Sequence, residues 1–153
     1  MLGNGHILVF DNGVNRKYSR VVEVDPATGQ IVWQYHAPIK SEFFSPTKGS
    51  AQRLANGNTL ICNADHGQAF EVTREGEVVW EWWSAIVEER SWLRDFQERI
   101  CEPPYRTVIY RMLRISPESL ARLKRPALAG DKLEGDEITR SAAQNLADAI
   151  ISR

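Results

Sequence analysis

Short apolar segments alternate with turn residues along the first two thirds of the chain, and this pattern predicts β-strands. The segments are rich in β-branched and aromatic residues. Asn-Gly, Asp-Pro-Ala-Thr-Gly and Glu-Gly sequences supply the turns between them. About eight strands are predicted, at residues 7–10, 20–24, 31–35, 50–54, 59–62, 69–72, 78–82 and 105–113.

The strand pattern occurs twice. Three segments match later segments in the same order, at offsets that fall from 52 to 48 and then to 47 residues. Because the offset drifts, the length changes must lie in the loops between the strands. The matched pairs are residues 2–9 with 54–61, 22–24 with 70–72, and 29–35 with 76–82.

A period near 50 residues, built from short strands, is typical of β-propeller blades. We therefore predict an all-β fold of about two four-stranded propeller-type blades, a partial β-propeller, with C-terminal α-helical additions. An eight-stranded sandwich or barrel with an internal duplication is the alternative.

The last third of the chain changes character. Apolar residues at helical spacing predict helices, and Ser116 followed by Pro117 fits an N-cap at the start of one of them. Helices are predicted at residues 84–100, at 117–124 and from 136 onward, with a linker at 127–135. The predicted domains are residues 1–115, with repeat units of about 2–48 and 49–115, and a helical extension over 116–153.

Composition excludes several classes of protein. Hydrophobic residues make up 42% and charged residues 25%, a globular rather than a disordered balance. The formal net charge of −1 argues against a general nucleic-acid binder. No apolar run is long enough to span a membrane, and the N-terminus lacks a signal-peptide pattern. Cys62 and Cys101 lack metal-ligand spacing, and no motif indicates a cofactor.

Several segments resemble known families. Residues 25–33, Asp-Pro-Ala-Thr-Gly-Gln-Ile-Val-Trp, resemble the tryptophan-docking repeat of pyrroloquinoline-quinone-type propellers. Residues 4–25, 43–60 and 108–118 resemble bacterial arylsulfotransferase-like β-propeller proteins. The resemblance implies that one set of residues shapes the hairpin turns and docks tryptophans between blades: Asp25, Thr28, Gly29, Trp33, Gly76 and Trp80.

The resemblance also implies an activity. Enzymes of that family are propellers of about six blades that move a sulfuryl group from a phenolic sulfate ester to a phenol through a transiently sulfated histidine. A small phenolic ligand is expected if that function is retained, and an exported or periplasmic origin is implied. Because the chain starts at the equivalent of Leu54, it is expected to be a C-terminal fragment of a longer propeller.

The histidine pattern argues against catalysis by this chain alone. In the family the histidine precedes the Asn-Gly-Asn turn by a few residues, but residues 49–53 contain none. We therefore transfer no catalytic residue. His6 is assigned to a turn and His36 to the solvent, whereas His66 lies in a polar loop and is the one weak catalytic candidate. An ordinary loop histidine, with little effect on stability, is the alternative for His66.

Other chemistry-bearing residues favour structural roles. Trp33, Trp80 and Trp82 occupy matched strand positions and are expected in the sheet packing rather than on a ligand platform. Cys62 is expected to be a buried small hydrophobe. The basic stretch at residues 106–125 could form an anion or nucleic-acid surface, but its interleaved apolar residues favour a solvated strand-and-helix face.

Two functions remain open. The first is a fragment or remnant of an arylsulfotransferase-like propeller, not catalytic by itself. The alternative is a non-catalytic propeller repeat module that binds a small ligand or a protein partner. Since two blades do not close a ring, self-association or pairing through open sheet edges is also predicted.

Overall fold

A computed structural model of the chain describes residues 1–87, 95–100 and 102–123. Within these residues, seven strands form two antiparallel sheets, which we name sheet A and sheet B. Sheet A has the order β1-β2-β3 and sheet B the order β4-β5-β6-β7. The strands are β1 (Ile7–Asp11), β2 (Arg20–Val24), β3 (Ile31–Tyr35), β4 (Ser50–Arg53), β5 (Thr59–Asn63), β6 (Gln68–Val72) and β7 (Val78–Trp83).

Helical structure is sparse in the described residues. Short 3₁₀ turns lie at Val14–Arg16, Lys40–Glu42 and Ala64–His66, and the α-helix that we name α1 spans Pro117–Leu123. None of the described helices is long and apolar enough to cross a membrane. The chain divides into two compact units, Met1–Arg114 and Ile115–Arg153.

The two sheets share one strand register. Leu8 pairs with Glu23 and Glu23 with Trp33 in sheet A. The residues at the matched positions of sheet B pair in the same way: Leu60 with Glu71, and Glu71 with Trp80. The register slips after both glutamates, between Glu23 and Val24 and between Glu71 and Val72. Strands β1, β2 and β3 therefore correspond to β5, β6 and β7, whereas β4 has no counterpart in sheet A.

The hydrophobic core lies between the sheets. One face of sheet A meets one face of sheet B there, and Phe43, from the loop that joins the sheets, fills the space between them. The Phe43 ring lies 5.5 Å from Phe70 of sheet B and 5.9 Å from Tyr35 of sheet A, centre to centre. Offset and edge-on aromatic contacts of this kind hold the sheets together. The buried residues of this cluster are Val21, Tyr35, Ala37, Phe43, Ile61, Phe70 and Val72.

The prediction of a mostly β fold is confirmed, with corrections in the last third. Seven of the predicted strands form, but residues 105–113 do not pair as a strand; Arg106 makes only an isolated bridge with Val87. No described strand lies in position to continue a ladder with that segment. The predicted helix does not begin at Ser84, because residues 84–87 continue from β7, where Ser84 donates to the Gly67 carbonyl.

The helical predictions differ in outcome. Residues 95–97 are helical, but residues 88–94 fall outside the described part of the chain. Helix α1 forms as predicted, with the Ser116 hydroxyl accepting from the backbone N–H of Ser119 at 3.1 Å. Residue 124, the linker at 127–135 and the helix predicted from 136 lie outside the described residues.

Candidate functional site

A buried carboxylate in sheet A is contacted by four polar side chains. Glu23 is 1% exposed, and its Oε1 lies 2.8 Å from His6 Nδ1 and accepts from Asn4 Nδ2 at 3.1 Å. Its Oε2 accepts from Arg53, the last residue of β4, at 2.8 Å, and from Arg74 at 3.3 Å. The Arg53 guanidinium also lies 4.5 Å from the centre of the Trp33 ring. Glu23 therefore ties sheet A to the first strand of sheet B.

These contacts determine the charge of Glu23. Burial raises the pKa of the carboxyl, but hydrogen bonds from His6 and Asn4 and the charges of Arg53 and Arg74 lower it to about 2. The carboxylate is ionised at neutral pH, and its partners are already engaged with it. The cluster is therefore a structural clamp.

Sheet B contains an equivalent cluster around Glu71. Its Oε1 accepts from Asn56 at 3.1 Å and from Asn58 at 2.7 Å, so Asn58 stands where His6 stands in sheet A. Its Oε2 lies 2.8 Å from Arg114, whose guanidinium is 5.5 Å from the centre of the Trp80 ring. Arg114 thus corresponds to Arg53, although its side chain is 47% exposed where that of Arg53 is 13% exposed.

A cavity of about 560 Å³ lies at the other end of sheet B. His66 contributes to its wall from the 3₁₀ turn before β6, and Gln68 from the start of β6. Gln68 donates to Glu81 Oε1 at 2.6 Å, which fixes that carboxylate on β7. Among the described residues, the acidic side chains on the wall are those of Glu42, Glu81, Glu98 and Glu102, and the basic side chain is that of Arg99.

His66 is more buried than a loop position suggests. It is 7% exposed, and burial lowers its pKa, against the raising effects of Asp65 and of hydrogen bonds to the backbone of Phe44 and Ile100. The neutral imidazole is therefore the dominant form at neutral pH. His66 lies in the turn between β5 and β6, in the polar segment that joins these strands, and the segments around Phe44 and Ile100 pack over its ring.

The Asp65 carboxylate is held by the loop that precedes β4. It is fully buried, accepts from the Thr47 backbone N–H at 2.8 Å and pairs with Lys48 Nζ at 2.7 Å. It also accepts from the Ser45 hydroxyl at 3.1 Å. Burial raises the pKa of Asp65, but Lys48 and Thr47 lower it below its usual value. This carboxylate anchors the loop that carries Phe43.

The other predicted site residues occupy separate places. His36 is exposed at the end of β3, and no described group of three or more His, Cys, Asp or Glu residues is placed to hold a metal ion. Asp25 accepts from the Ala27 backbone N–H at 2.8 Å and from the Thr28 hydroxyl at 2.9 Å. Gly29, which closes that turn, has φ of 70°, a value that glycine adopts without strain. Gly76 in the equivalent turn has φ of 92°.

The matched tryptophans differ in burial. Trp33 packs against the core cluster, and its Nε1 donates to the Arg74 carbonyl at 2.7 Å. Trp80 and Trp82 are each 38% exposed, so the expectation that these two rings are buried in the sheet packing is wrong. The reason is positional: the face of sheet A that carries Trp33 meets sheet B, whereas no described sheet covers Trp80.

Two arginines of the basic stretch at residues 106–125 make contacts within the chain. Arg106 donates to the Ser84 carbonyl at 2.6 Å and lies 5.7 Å from the centre of the Trp83 ring. Arg114 is held by Glu71. These contacts agree with a structural role for both arginines. Lys124 and Arg125 lie outside the described residues.

Sequence reasoning missed the glutamate clusters and one buried amide. Gln97 is fully buried and donates to the Asp65 and Arg106 carbonyls at 3.0 and 2.7 Å, which holds residues 95–100 against the cavity. No periodicity marks Gln97. The glutamates did carry a signal, since Glu23 and Glu71 are matched polar residues in the middle of otherwise apolar strands.

These features define a class of protein: an antiparallel β protein whose two sheets repeat one register and one buried glutamate cluster. The family model described as arylsulfotransferase (ASST) matches residues 3–85, which is more than half of the chain. The chain therefore belongs to the arylsulfotransferase family. Comparisons with curated proteins and with solved structures found no match.

Proposed function

We propose that this chain is a two-blade β-propeller module of the arylsulfotransferase family that binds a small ligand and does not transfer sulfuryl groups by itself. In this proposal residues 2–48 and 49–115 are the blades, and residues 116–153 are an extension. The observation that carries it is the acidic wall of the cavity that His66 lines.

Sulfuryl transfer through histidine needs an imidazole nitrogen that reaches sulfur and cations that stabilise the sulfuryl oxygens. The described residues of the cavity wall include four carboxylates and one arginine. The electrostatic potential in the cavity is therefore negative and repels an anionic aryl sulfate. His6 is engaged with Glu23, and His36 lies away from the cavity wall. The stretch before the Asn-Gly-Asn turn supplies Gln52 and Arg53, which are both hydrogen bonded within the molecule.

The same negative potential favours a cation. A positively charged ligand would meet Glu42 and Glu81 on one part of the wall and the Trp83 ring on another. An aromatic ring beside carboxylates is an arrangement that binds ammonium groups. We therefore propose a small organic cation as the ligand class.

Turnover is the first test. The protein is incubated with 4-nitrophenyl sulfate and a phenol acceptor, and release of 4-nitrophenol is followed for wild type and His66→Gln. We expect no release above the rate in buffer for either protein. Acceptor-dependent release that His66→Gln abolishes would overturn the non-catalytic assignment.

Binding is the second test. Tryptophan fluorescence is titrated with benzyltrimethylammonium and, separately, with phenyl sulfate. We expect saturation with the cation only, weakened by Glu81→Gln and unchanged by Glu77→Gln, since Glu77 is exposed and off the cavity wall. Tighter binding of phenyl sulfate, or equal response of the two variants, would contradict the proposed ligand class.

A further inference from the structure

Strands β1 and β5 hold matched positions, yet their surroundings differ. The four residues 59–62 of β5 are buried, while Ile7 and Val9 of β1 are 42% and 39% exposed. The structural difference is the strand at the edge: β4 pairs with β5, whereas no described strand pairs with the free edge of β1. An unpaired edge with exposed apolar residues is a template for strand addition.

The chain also contains a segment, residues 109–114, that pairs with no strand among the described residues. This segment is placed against sheet B as β4 is placed against sheet A. Arg114 reaches Glu71 and Trp80 just as Arg53 reaches Glu23 and Trp33. Residues 109–114 therefore correspond to residues 48–53 and occupy the position of the first strand of a following sheet.

The Ile109 N–H donates to the Ala64 carbonyl at 3.0 Å, whereas the backbone of residues 111–114 makes no backbone hydrogen bond with any described residue on one of its sides. Arg114 donates its N–H to Gln52 Oε1 at 2.8 Å and accepts from Gln52 Nε2 at 3.0 Å. The backbone of Met112 faces the Cys62 thiol, on the same side. Because backbone groups alternate along an extended segment, those of Arg111 and Leu113 point the other way. No described residue forms a strand pair with them.

We propose that residues 109–114 of one copy pair with the free edge of β1 in a second copy of this chain. The ladder between β4 and β5 sets the register: Ser50 with Cys62, Gln52 with Leu60, and Arg53 with Thr59. Leu113 and Arg114 correspond to Gln52 and Arg53, and Leu8 and Ile7 correspond to Leu60 and Thr59. In the proposed ladder, Leu113 therefore pairs with Leu8 of the second copy, and Arg114 pairs with Ile7. The second copy's sheet A then becomes a four-stranded sheet like sheet B.

The match extends to the faces of the sheets. Within one chain the face of sheet A with Trp33 packs on the face of sheet B with Ile61 and Phe70. The equivalent faces left open are the one with Trp80 and Trp82 on sheet B and the one with Ile7 and Val9 on sheet A. Strand addition between copies brings these two open faces together and removes their apolar surface from water.

The arrangement is sterically consistent, because sheet B already shows both neighbours at once. It carries β4 on its edge and residues 109–114 against its face. The donor segment and the acceptor edge lie at opposite ends of the two-sheet unit, so association is head to tail and each copy contributes one of each. Backbone ladder formation of this kind supplies affinity with little demand on side chains.

Sedimentation of the full chain tests the proposal. We expect wild type to sediment as an assembly, Leu113→Pro as a monomer, and Leu113→Val as wild type. Leu113 is 56% exposed and its N–H donates to no described residue, so proline there removes an N–H that the second copy needs and no backbone hydrogen bond within the described residues. A monomeric wild type, or an assembly that Leu113→Pro leaves intact, overturns the proposal.

Disulfide trapping tests the register and does not depend on the proline variant. In a Cys101→Ser background, Leu113→Cys is mixed with Leu8→Cys, and oxidation should join one of each. Cys62 does not interfere, because burial raises the pKa of its thiol to about 11. The matched control, Ile31→Cys, is an exposed residue on the opposite edge strand β3 and should not be trapped. Equal trapping of both partners would contradict the register.

Discussion

Sheets A and B are built on one register and differ in what covers them. Sheet B has β4 on its edge and residues 109–114 on its outer face, and β5 is buried throughout. Among the described residues, no strand pairs with the edge of sheet A and no segment covers its outer face, so the matched residues of β1 stay partly exposed. For the glutamate clusters, sheet A is the better covered of the two. Glu23 lies between two sheets, whereas Glu71 lies beside a single segment. The same strand sequence pattern therefore yields different local stability according to its neighbours.

The largest expected effect comes from breaking the clamp in sheet A. Glu23→Gln leaves Arg53 poorly solvated and without its carboxylate, and loss of one partner of a buried pair costs about 3 to 5 kcal/mol in the free energy of unfolding. Glu71→Gln should cost about 1 kcal/mol, since exposed pairs contribute little and Arg114 is 47% exposed. Urea denaturation of both variants measures the difference. If both variants lose the same free energy of unfolding, the position of Glu23 between the two sheets contributes no additional stability.

The clamp also predicts acid sensitivity. The pKa of Glu23 is lowered from 4.5 to about 2, so the unfolded chain binds more protons between these values. The stabilisation is complete above pH 4.5 and is lost as the pH falls toward 2, by on the order of 3 kcal/mol in all. Glu23→Gln should flatten this part of the stability profile, whereas a profile unchanged from wild type would contradict the low pKa.

The matched aliphatic residues Ile61 and Val9 test the effect of covering a strand. Ile61→Ala removes a fully buried side chain and should cost about 2 to 5 kcal/mol. Val9→Ala, at the equivalent position of the exposed strand, should cost under about 1 kcal/mol in the monomer. Both are measured in denaturant at a protein concentration where the chain is monomeric. At higher concentrations the cost of Val9→Ala should rise as copies associate.

The tryptophan pair should show a smaller difference. Trp33→Ala removes packing against the core and the hydrogen bond to the Arg74 carbonyl, and we expect a cost of about 2 to 3 kcal/mol. Trp80→Ala removes a 38% exposed ring that stacks on Arg114, and about 1 kcal/mol is expected. Thermal melts followed by far-ultraviolet circular dichroism decide it. A Trp80 variant as unstable as the Trp33 variant would show that some part of the chain covers both rings alike.

The smallest effect concerns His66. Burial keeps the pKa of His66 below its usual value of 6.5, so the unfolded chain takes up a proton first and stability falls as the pH drops below 6.5. His66→Gln should remove this step and leave the deeper loss due to Glu23 in place. Denaturant midpoints at about pH 8, 5.5 and 3.5 separate the two steps. If His66→Gln keeps the step above pH 5, another group is responsible.

Part of the candidate site could be read from the sequence and part could not. The strands, the turns around Gly29 and Gly76, and the match of Glu23 with Glu71 follow from local pattern, because alternation and glycine turns are properties of neighbouring residues. The cavity beside His66 was not predictable. Its wall joins the turn before β6 to residues 98–100, 102 and 104, and nothing local indicates that these segments meet.

Sequence patterns alone predict all seven described strands, in two repeats, and the resemblance to arylsulfotransferase-like proteins, although they also predict a strand at residues 105–113 that does not pair. Only the tertiary structure decided burial: Trp33 is covered and Trp80 is open, His66 is enclosed, and Phe43 fills the space between the sheets. The physical reason is that strand formation depends on neighbours along the chain. Burial depends on which surface another segment covers. Matched strands of sheet A and sheet B have different neighbours, so the same sequence pattern is buried in one sheet and exposed in the other.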